Sequence, residues 1–359
     1  MPDPTHNYAI VLAGGSGTRF WPVSRQATPK QLSSLVGDGT LLAQTIDRLD
    51  GLVPADHILV LTNAAQLDAV RAALPGFPTD NILAEPAKRD TGPAIALAIG
   101  WVAARDPQAT MAVLPSDHLI PDTAAYQHTL SAAFGLATST SALVTLGITP
   151  SWPCPSYGYI ERAERFQDPS LPNDIAAYDV AAFREKPDPE TATKFLAAGN
   201  FAWNAGMFLW SVPAVLAELD THAPELANFA REISTTADTT ATIAEKFPAL
   251  TPLSIDYALM EKASRVLNVD ANFGWDDLGS WLSLAGYLDQ TSCKNASNTT
   301  LSTIDAKGNI VFSSDGRHVA LLGVSDLVVV QTPDSVLVVH KSQAEQIKKL
   351  VDILPKELI

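Results

Sequence analysis

Three glycines, an arginine and a lysine near the start of the chain define its most specific chemistry. The run Leu12-Ala13-Gly14-Gly15-Ser16-Gly17-Thr18-Arg19-Phe20-Trp21-Pro22, continued by Pro29-Lys30-Gln31, directly follows the apolar stretch Tyr8–Ala13. That stretch reads as a buried strand. The glycines let the backbone bend and come close to a ligand, and the N–H groups of such a loop form a concave anion site. Arg19 adds a fixed, permanently charged fork suited to phosphate oxygens, and Lys30 adds a mobile point charge. Together they read as a grip on a polyphosphate. Two common glycine loops are excluded. No window supplies Gly, four residues and Gly-Lys-Ser/Thr, and Phe20 stands where the dinucleotide fingerprint needs its third glycine. A plain strand-to-helix bend would explain the glycines but not Arg19 or the Pro29-Lys30 pair.

Acids suited to a divalent cation lie elsewhere. Asp117 follows the apolar run Thr110–Leu114, and Mg²⁺ prefers one or two carboxylates completed by phosphate oxygens and water. The alternative for Asp117 is a turn or helix N-cap. Asp276 and Asp277 are adjacent within Gly274-Trp275-Asp276-Asp277-Leu278-Gly279, so their side chains diverge and one of them reaches a shared site. His118 has no paired histidine at metal spacing and reads as structural. No Ser/His/Asp or Cys/His constellation can be argued.

The elements that position these residues alternate. Strands are predicted at Tyr8–Leu12, His57–Leu61, Asn81–Ala84, Thr110–Leu114 and Ala142–Leu146, with helices at Leu41–Leu49, Ala64–Ala73, Gly92–Ala104 and Thr123–Ala137 between them. This pattern predicts βαβ units in a mostly parallel sheet, with ligands at the strands' carboxyl ends. Short strands are predicted at Tyr157–Ile160, Val180–Arg184 and Met207–Trp210, and helices at Pro189–Ala198, Pro213–Leu219, Pro224–Ile233 and Ser254–Ala263. Thr235–Thr242 reads as a loop and Asp289–Thr300 as a linker. Beyond the linker, strands at Ile310–Phe312, Val319–Leu322, Leu327–Val330 and Val336–Val339 and a helix at Gln343–Leu354 predict a small β unit, with no constellation of its own and no usable internal repeat. It reads as a packing or oligomerisation module, which leaves a homodimer open. The predicted division is residues 1–288 and 289–359.

The formal net charge of −15 argues against nonspecific binding to nucleic acid or an anionic membrane. Positive charge for a phosphate must therefore be gathered locally or supplied by a metal ion. Two distant cysteines fit a reducing cytoplasm. No apolar run approaches the ~20 residues that span a bilayer, and the first residues show no secretory pattern.

The run Leu-Ala-Gly-Gly-x-Gly-Thr-Arg-Phe-x-Pro, with Pro-Lys-Gln after it, resembles the signature of the sugar-nucleotide pyrophosphorylases, in the form carried by mannose-1-phosphate guanylyltransferases. Further motifs extend the resemblance from Tyr8 to about Leu354. It implies a Rossmann-like, glycosyltransferase-A-like α/β catalytic domain and a C-terminal domain of left-handed β-helix type. It implies transfer of GMP from GTP to α-D-mannose 1-phosphate, giving GDP-mannose and pyrophosphate with Mg²⁺. Carried over residue by residue, Leu12, Gly14, Gly15, Gly17 and Thr18 wrap the triphosphate, Arg19 and Lys30 neutralise its charge, and Asp117 and Asp277 hold the metal. Asp276 then reads as a cap for the following helix.

Glu85-Pro86-Ala87-Lys88-Arg89-Asp90-Thr91-Gly92-Pro93-Ala94 resembles the family's base-reading segment, with Asp90 where the family has Asn and Gly92 where it has Ala. Glu85 is the expected partner of guanine N1–H and N2–H, with Asp90 the alternative; Asp90 and Thr91 also suit helix capping. The sugar phosphate is assigned to Gly158 of Tyr157-Gly158-Tyr159-Ile160, Glu185 and Lys186 of Phe183-Arg184-Glu185-Lys186-Pro187, Asn204 of Trp203-Asn204-Ala205-Gly206, and Asp256. Taken alone, the aromatics around Gly158 read as core packing, Glu185-Lys186 as a solvated charge cluster, and Asp256 as a helix cap. The rival activities are a pyrophosphorylase of the same fold with another base or sugar, and a non-catalytic nucleotide-sugar sensor. Some relatives carry a further phosphomannose isomerase domain after this region; that second activity is not expected here.

Overall fold

The computed structural model describes residues 4–15 and 17–359; the first three residues and Ser16 of the glycine loop lie outside the described residues. A nine-stranded sheet organises the chain. Its strands are β1 (Asn7–Leu12), β2 (Ile58–Asn63), β3 (Ile82–Glu85), β4 (Thr110–Pro115), β5 (Leu143–Ile148), β6 (Tyr159–Phe166), β7 (Ala177–Arg184), β8 (Phe201–Ser211) and β9 (Val266–Ala271), in the order β3-β2-β1-β4-β8-β5-β9-β7-β6. The first four are parallel, as the alternating pattern predicts. Tyr8 and Ile10 of β1 enter one core, while Ala9 and Val11 enter the other. Burial on both faces is why β1 reads as a continuous apolar run rather than an alternation.

Beyond β4 the sheet is mixed. β8 runs antiparallel to both β4 and β5, and its first residues also pair with β6. It is far longer than the predicted Met207–Trp210 because its first residues ladder to β6 and its later ones to β5 and β4; the ladder to β5 shifts register between Thr145 and Gly147, and Gly206 takes φ +65°. β9 was not predicted, since Asn268 and Asp270 interrupt its apolar run. Both are satisfied internally: Arg162 donates to Asn268 Oδ1 and to Asp270 Oδ1, each at 2.7 Å.

Helices cover both faces. α1 (Leu41–Asp47), α2 (Leu67–Ala73) and α4 (Thr123–Thr140) border one core. α3 (Thr91–Ala103) is buried from Gly92 to Val102 in the other. A helix at Thr239–Lys246 replaces the second half of the predicted Thr-rich loop, its N-terminus capped by Asp238 and its packing face set by buried Ile243.

The C-terminal region is a β-helix-like unit. It comprises β10 (Asp289–Gln290), β11 (Ala296–Ser297), β12 (Leu301–Ile304), β13 (Ile310–Ser313), β14 (Val319–Leu322), β15 (Leu327–Gln331) and β16 (Val336–His340). β12 pairs in parallel with β14, and β13 with β15, each partner lying 18 residues further on: Leu301 opposite Val319 and Ile310 opposite Val328. The predicted linker holds β10 and β11. Its polar character comes from an internal ladder in which buried Asn295 donates to Ala306 O and accepts from Asn309. A third core joins this unit to the glycine-loop region: Phe20, Trp21, Leu278 and Trp281 pack with Ile310, Phe312, Val328, Ile347 and Val351. Trp21 Nε1 donates to Leu358 O at 2.8 Å.

Candidate active site

The glycine loop leaves the end of β1, and Asp117 lies two residues past the end of the adjacent β4. Loop carbonyls are held inward: Gln31 Nε2 donates to Ala13 O at 2.9 Å and Gly15 O at 3.1 Å, and the Thr62 hydroxyl also donates to Ala13 O. The Leu12 carbonyl accepts from the Ser116 hydroxyl at 2.7 Å, which ties the start of the loop to the Asp117 turn. At Gly17, φ is +54° and an added Cβ would lie 2.9 Å from the Lys30 amide nitrogen; only glycine lets the loop cross over Lys30. Gly14 and Gly15 are exposed at the mouth, and Thr18 opens the turn that carries Arg19.

A cleft of about 530 Å³ is lined by Gly17, Thr18, Arg19, Lys30, Asp117 and Asp277, with Lys88, His118 and Lys348 also on its wall. Lys30 is buried. Its ammonium lies 2.8 Å from Asp117 Oδ2 and donates to the backbone carbonyls of Asp277 at 2.7 Å and Leu278 at 3.2 Å. All three of its donors are thereby engaged, so Lys30 fastens the two acid-bearing segments together. Desolvation alone would raise the Asp117 carboxyl, yet Lys30 and His118 beside it hold it below the usual carboxylate range. Burial lowers His118 to about 4, leaving a neutral ring. Trp275 Nε1 donates to His118 Nδ1 at 3.0 Å, which leaves the proton on Nε2, the nitrogen nearer Asp117.

Asp277 accepts from the Tyr157 hydroxyl at 2.7 Å. Asp276 turns away and accepts from the Leu278 N–H and the Tyr287 hydroxyl. It does not cap the following helix, Trp281–Leu284, whose N-cap is Ser280. Among the described residues no cluster of three or more His, Cys, Asp or Glu side chains could hold a metal by itself. Two carboxylates facing an open cleft fit an ion that completes its shell with phosphate oxygens and water.

At the end of β3, Glu85 Oε1 lies 3.9 Å from where a Cβ on Gly14 would stand. Burial raises its carboxyl to about 7. The other residues of this segment are engaged otherwise. Asp90 is the N-cap of α3 and accepts from the Thr91 N–H at 2.7 Å; Thr91 Oγ1 accepts from the Ile255 N–H at 2.9 Å. An added Cβ on Gly92 would lie 2.5 Å from Leu253 O. These three residues seat α3 against the Leu253–Ile255 segment, and Glu85 remains as the carboxylate beside the loop.

The five residues expected at the sugar phosphate come together. Asn204 Nδ2 donates to Asp256 Oδ1 at 3.1 Å, and its backbone N–H donates to Gly158 O at 2.8 Å. A Cβ on Gly158 would stand 2.8 Å from Glu185 Oε2, and Glu185 pairs with Lys186 at 2.8 Å. Burial, then the nearby Glu185 charge, raises Asp256 to about 6. Asp256 begins one turn of π-helix, Asp256–Met260, rather than capping a regular helix. Sequence reasoning assigned no role to Gln31, Tyr157, Lys88 or Lys348. Gln31 lies within the Pro-Lys-Gln motif, Tyr157 next to Gly158 and Lys88 within the Glu85–Ala94 segment, so all three were within reach; Lys348 stands in no motif.

Acids from two distant segments, a glycine loop and cations around one cleft define a nucleotidyl-transferring site. The chain belongs to the nucleotidyl transferase family, whose model matches residues 8–292, and a MannoseP isomerase/GMP-like beta-helix domain matches residues 301–354. It is 37% identical over 353 residues to mannose-1-phosphate guanylyltransferase of Escherichia coli (strain K12), spanning 96% of this chain and 73% of that protein. It is also 37% identical to mannose-1-phosphate guanylyltransferase ManC of Salmonella typhimurium, over 97% of this chain and 73% of that one. A solved structure described as mannose-1-phosphate geranyltransferase from Thermus thermophilus superposes with a TM-score of 0.86 at 32% identity, over 97% of this chain and 98% of that one.

Proposed function

We propose that the chain transfers GMP from GTP to α-D-mannose 1-phosphate, releasing pyrophosphate and giving GDP-mannose. The observation that carries this reading is the meeting of Asp117 and Asp277 in one cleft beside the Arg19 loop, with the Gly158–Asn204–Asp256 cluster set apart for a polar sugar. An oxygen of the sugar phosphate attacks the α-phosphorus. A new P–O bond forms as the α–β bridging bond breaks, and its electron pair leaves with pyrophosphate. The attacking phosphate is already ionised, so no general base is required. Mg²⁺, with Asp117 and Asp277 as its protein ligands, would neutralise charge on the α-phosphate as it shifts to the leaving group. The chain's own contribution is positioning and electrostatics. Lys30 fixes the spacing of the two acids, Tyr157 orients Asp277, Arg19 meets the polyphosphate, and Asn204, Asp256 and Glu185 orient the sugar hydroxyls. Lys186 is assigned to the sugar phosphate. We take residues 1–288 as the catalytic domain and 289–359 as the β-helix unit, in a cytoplasmic protein with a homodimer open to test.

The first test is pyrophosphate release with mannose 1-phosphate and each of GTP, ATP, UTP and dTTP, with and without Mg²⁺. Release with GTP alone and only with metal is expected. Release with a different triphosphate would overturn the assignment of the base, and no release with any of them would overturn the activity.

Glu85→Gln tests the base contact and carries a pH signature. The variant is expected to lose about tenfold or more of the preference for GTP over ATP. Glu85 is raised from 4.5 to about 7 in the fold, so folding favours its protonated form. The wild type therefore loses stability as pH rises through that window, and the Gln variant does not. Urea unfolding should find the variant more stable by roughly 2–3 kcal/mol at pH 8, with the gap closing near pH 4. Equal stability at both pH values would show that Glu85 is not desolvated.

A further inference from the structure

The β-helix unit reaches into the cleft. Ile347 and Val351 on the helix Ile347–Val351 are buried in the core shared with Phe20, Trp21 and Leu278. The helix packs on the turn Thr18–Phe20 that presents Arg19, and the tail beyond it is tied by the Trp21–Leu358 hydrogen bond. With Ile347 and Val351 anchored, the neighbouring Lys348 stands on the cleft wall.

The balance of charge in the cleft shows why this matters. Its wall carries four cations, Arg19, Lys30, Lys88 and Lys348, against two carboxylates, Asp117 and Asp277. The whole chain has a formal charge of −15, so this local surplus runs against the molecule as a whole. The cations differ in their freedom to meet a ligand. Lys30 has all three donors engaged, and Arg19 donates to Gly279 O at 2.7 Å and faces Glu345 at 4.0 Å. The Lys348 ammonium makes no hydrogen bond or ion pair with any described residue, while its backbone carbonyl accepts from the Asp352 N–H at 3.3 Å. An exposed ammonium on an anchored backbone, with no internal partner, is positioned for an anion from outside.

We propose that Lys348 of the β-helix unit binds the end of the triphosphate that leaves as pyrophosphate. This rests on the nucleotidyl-transfer reading above. The helix lies against Thr18–Phe20, so Lys348 serves the phosphates that run along the glycine loop. As the α–β bridging bond breaks, the electron pair moves onto pyrophosphate, and the ammonium meets the charge that accumulates there. The C-terminal unit is then part of the active site as well as a packing module.

The test uses the full chain with Lys348→Met, Lys348→Arg and Lys349→Met. In the pyrophosphate-consuming direction, Lys348→Met is expected to raise the KM for pyrophosphate about tenfold or more while leaving that for GDP-mannose within about twofold. Lys348→Arg should restore most of the loss, and Lys349→Met should behave as wild type. Calorimetric titration of pyrophosphate, with and without Mg²⁺, gives the same comparison without turnover. If the nucleotide or sugar assignment fails, the titration still tests Lys348. A Lys348→Met protein that binds pyrophosphate within about twofold of wild type would overturn the proposal. Lys348 is exposed, and matching thermal melts would exclude a folding defect.

Discussion

Asp277→Asn is expected to lower turnover at least about a thousandfold while leaving the fold intact. Asn keeps the size of the side chain and retains an oxygen for the Tyr157 hydroxyl, which Asp277 accepts at 2.7 Å. The stability change should therefore stay within about 1 kcal/mol. What is lost is an anionic oxygen facing the cleft. The signature is a loss in kcat that excess Mg²⁺ partly repairs, because a neutral amide oxygen is a weaker ligand for a hard cation. Steady-state rates over a Mg²⁺ titration decide the matter. An Asn variant retaining about a tenth of the activity at ordinary Mg²⁺ would remove Asp277 from the metal. Asp276→Asn is the internal comparison, since its carboxylate is taken up by the Leu278 N–H and the Tyr287 hydroxyl. It should cost far less turnover.

Lys30→Met is expected to damage stability and turnover together. The methionine can fill the buried channel of the lysine stem, but it cannot donate. Asp117 loses its ion pair, and the carbonyls of Asp277 and Leu278 lose their donor. Removing one partner of a buried pair leaves the other uncompensated. The Asp117 side chain is 39% exposed, so water relieves part of the cost and the loss should be about 2–3 kcal/mol. Turnover should fall about a hundredfold or more because the acid-bearing segments are no longer fixed relative to each other. Denaturant unfolding beside steady-state kinetics measures both. The Asp117 carboxyl is held below its ordinary value, so the pair contributes stability above that range and loses it as pH falls through the lowered value. The wild-type advantage over Lys30→Met should shrink in acid. Full activity in Lys30→Met would show that the acids hold their spacing without it.

The parallel half of the sheet was legible because its strands are buried on both faces and its helices are amphipathic or wholly apolar; Ala9, Val11, Tyr8 and Ile10 announce this directly. The glycine loop and Asp117 were legible because their chemistry follows strand ends. Elements stabilised by polar groups were not. β9 carries Asn268 and Asp270, whose partner Arg162 lies more than a hundred residues away. The 18-residue coil of the β-helix escaped notice because its interior mixes an asparagine ladder with apolar residues. The motif residues Leu12, Asp90, Thr91 and Gly92 make contacts within the protein, to Ser116, the α3 N-terminus, Ile255 and Leu253. Local sequence marks such residues as special without saying whether ligand or protein uses them. Lys348 was invisible for the opposite reason: its place depends on a core formed between chain segments more than three hundred residues apart.

Strand β8 has one more consequence. On one of its sides, four parallel strands end at the glycine loop, Glu85 and Asp117; on the other lie β5, β6, β7 and β9, with Gly158 and Glu185 at the ends of β6 and β7. β8 is laddered to both sides and itself carries Asn204. The molecule is thus built as a lock with two keyholes sharing one bolt. On the proposed reading, redesign toward new bases works on one side of this seam and redesign toward new sugars on the other. One contact crosses the seam, since Thr91 of the base segment accepts from the Ile255 N–H beside Asp256, so two independently evolved specificities joined in one chain should combine nearly additively where the changes leave that contact in place.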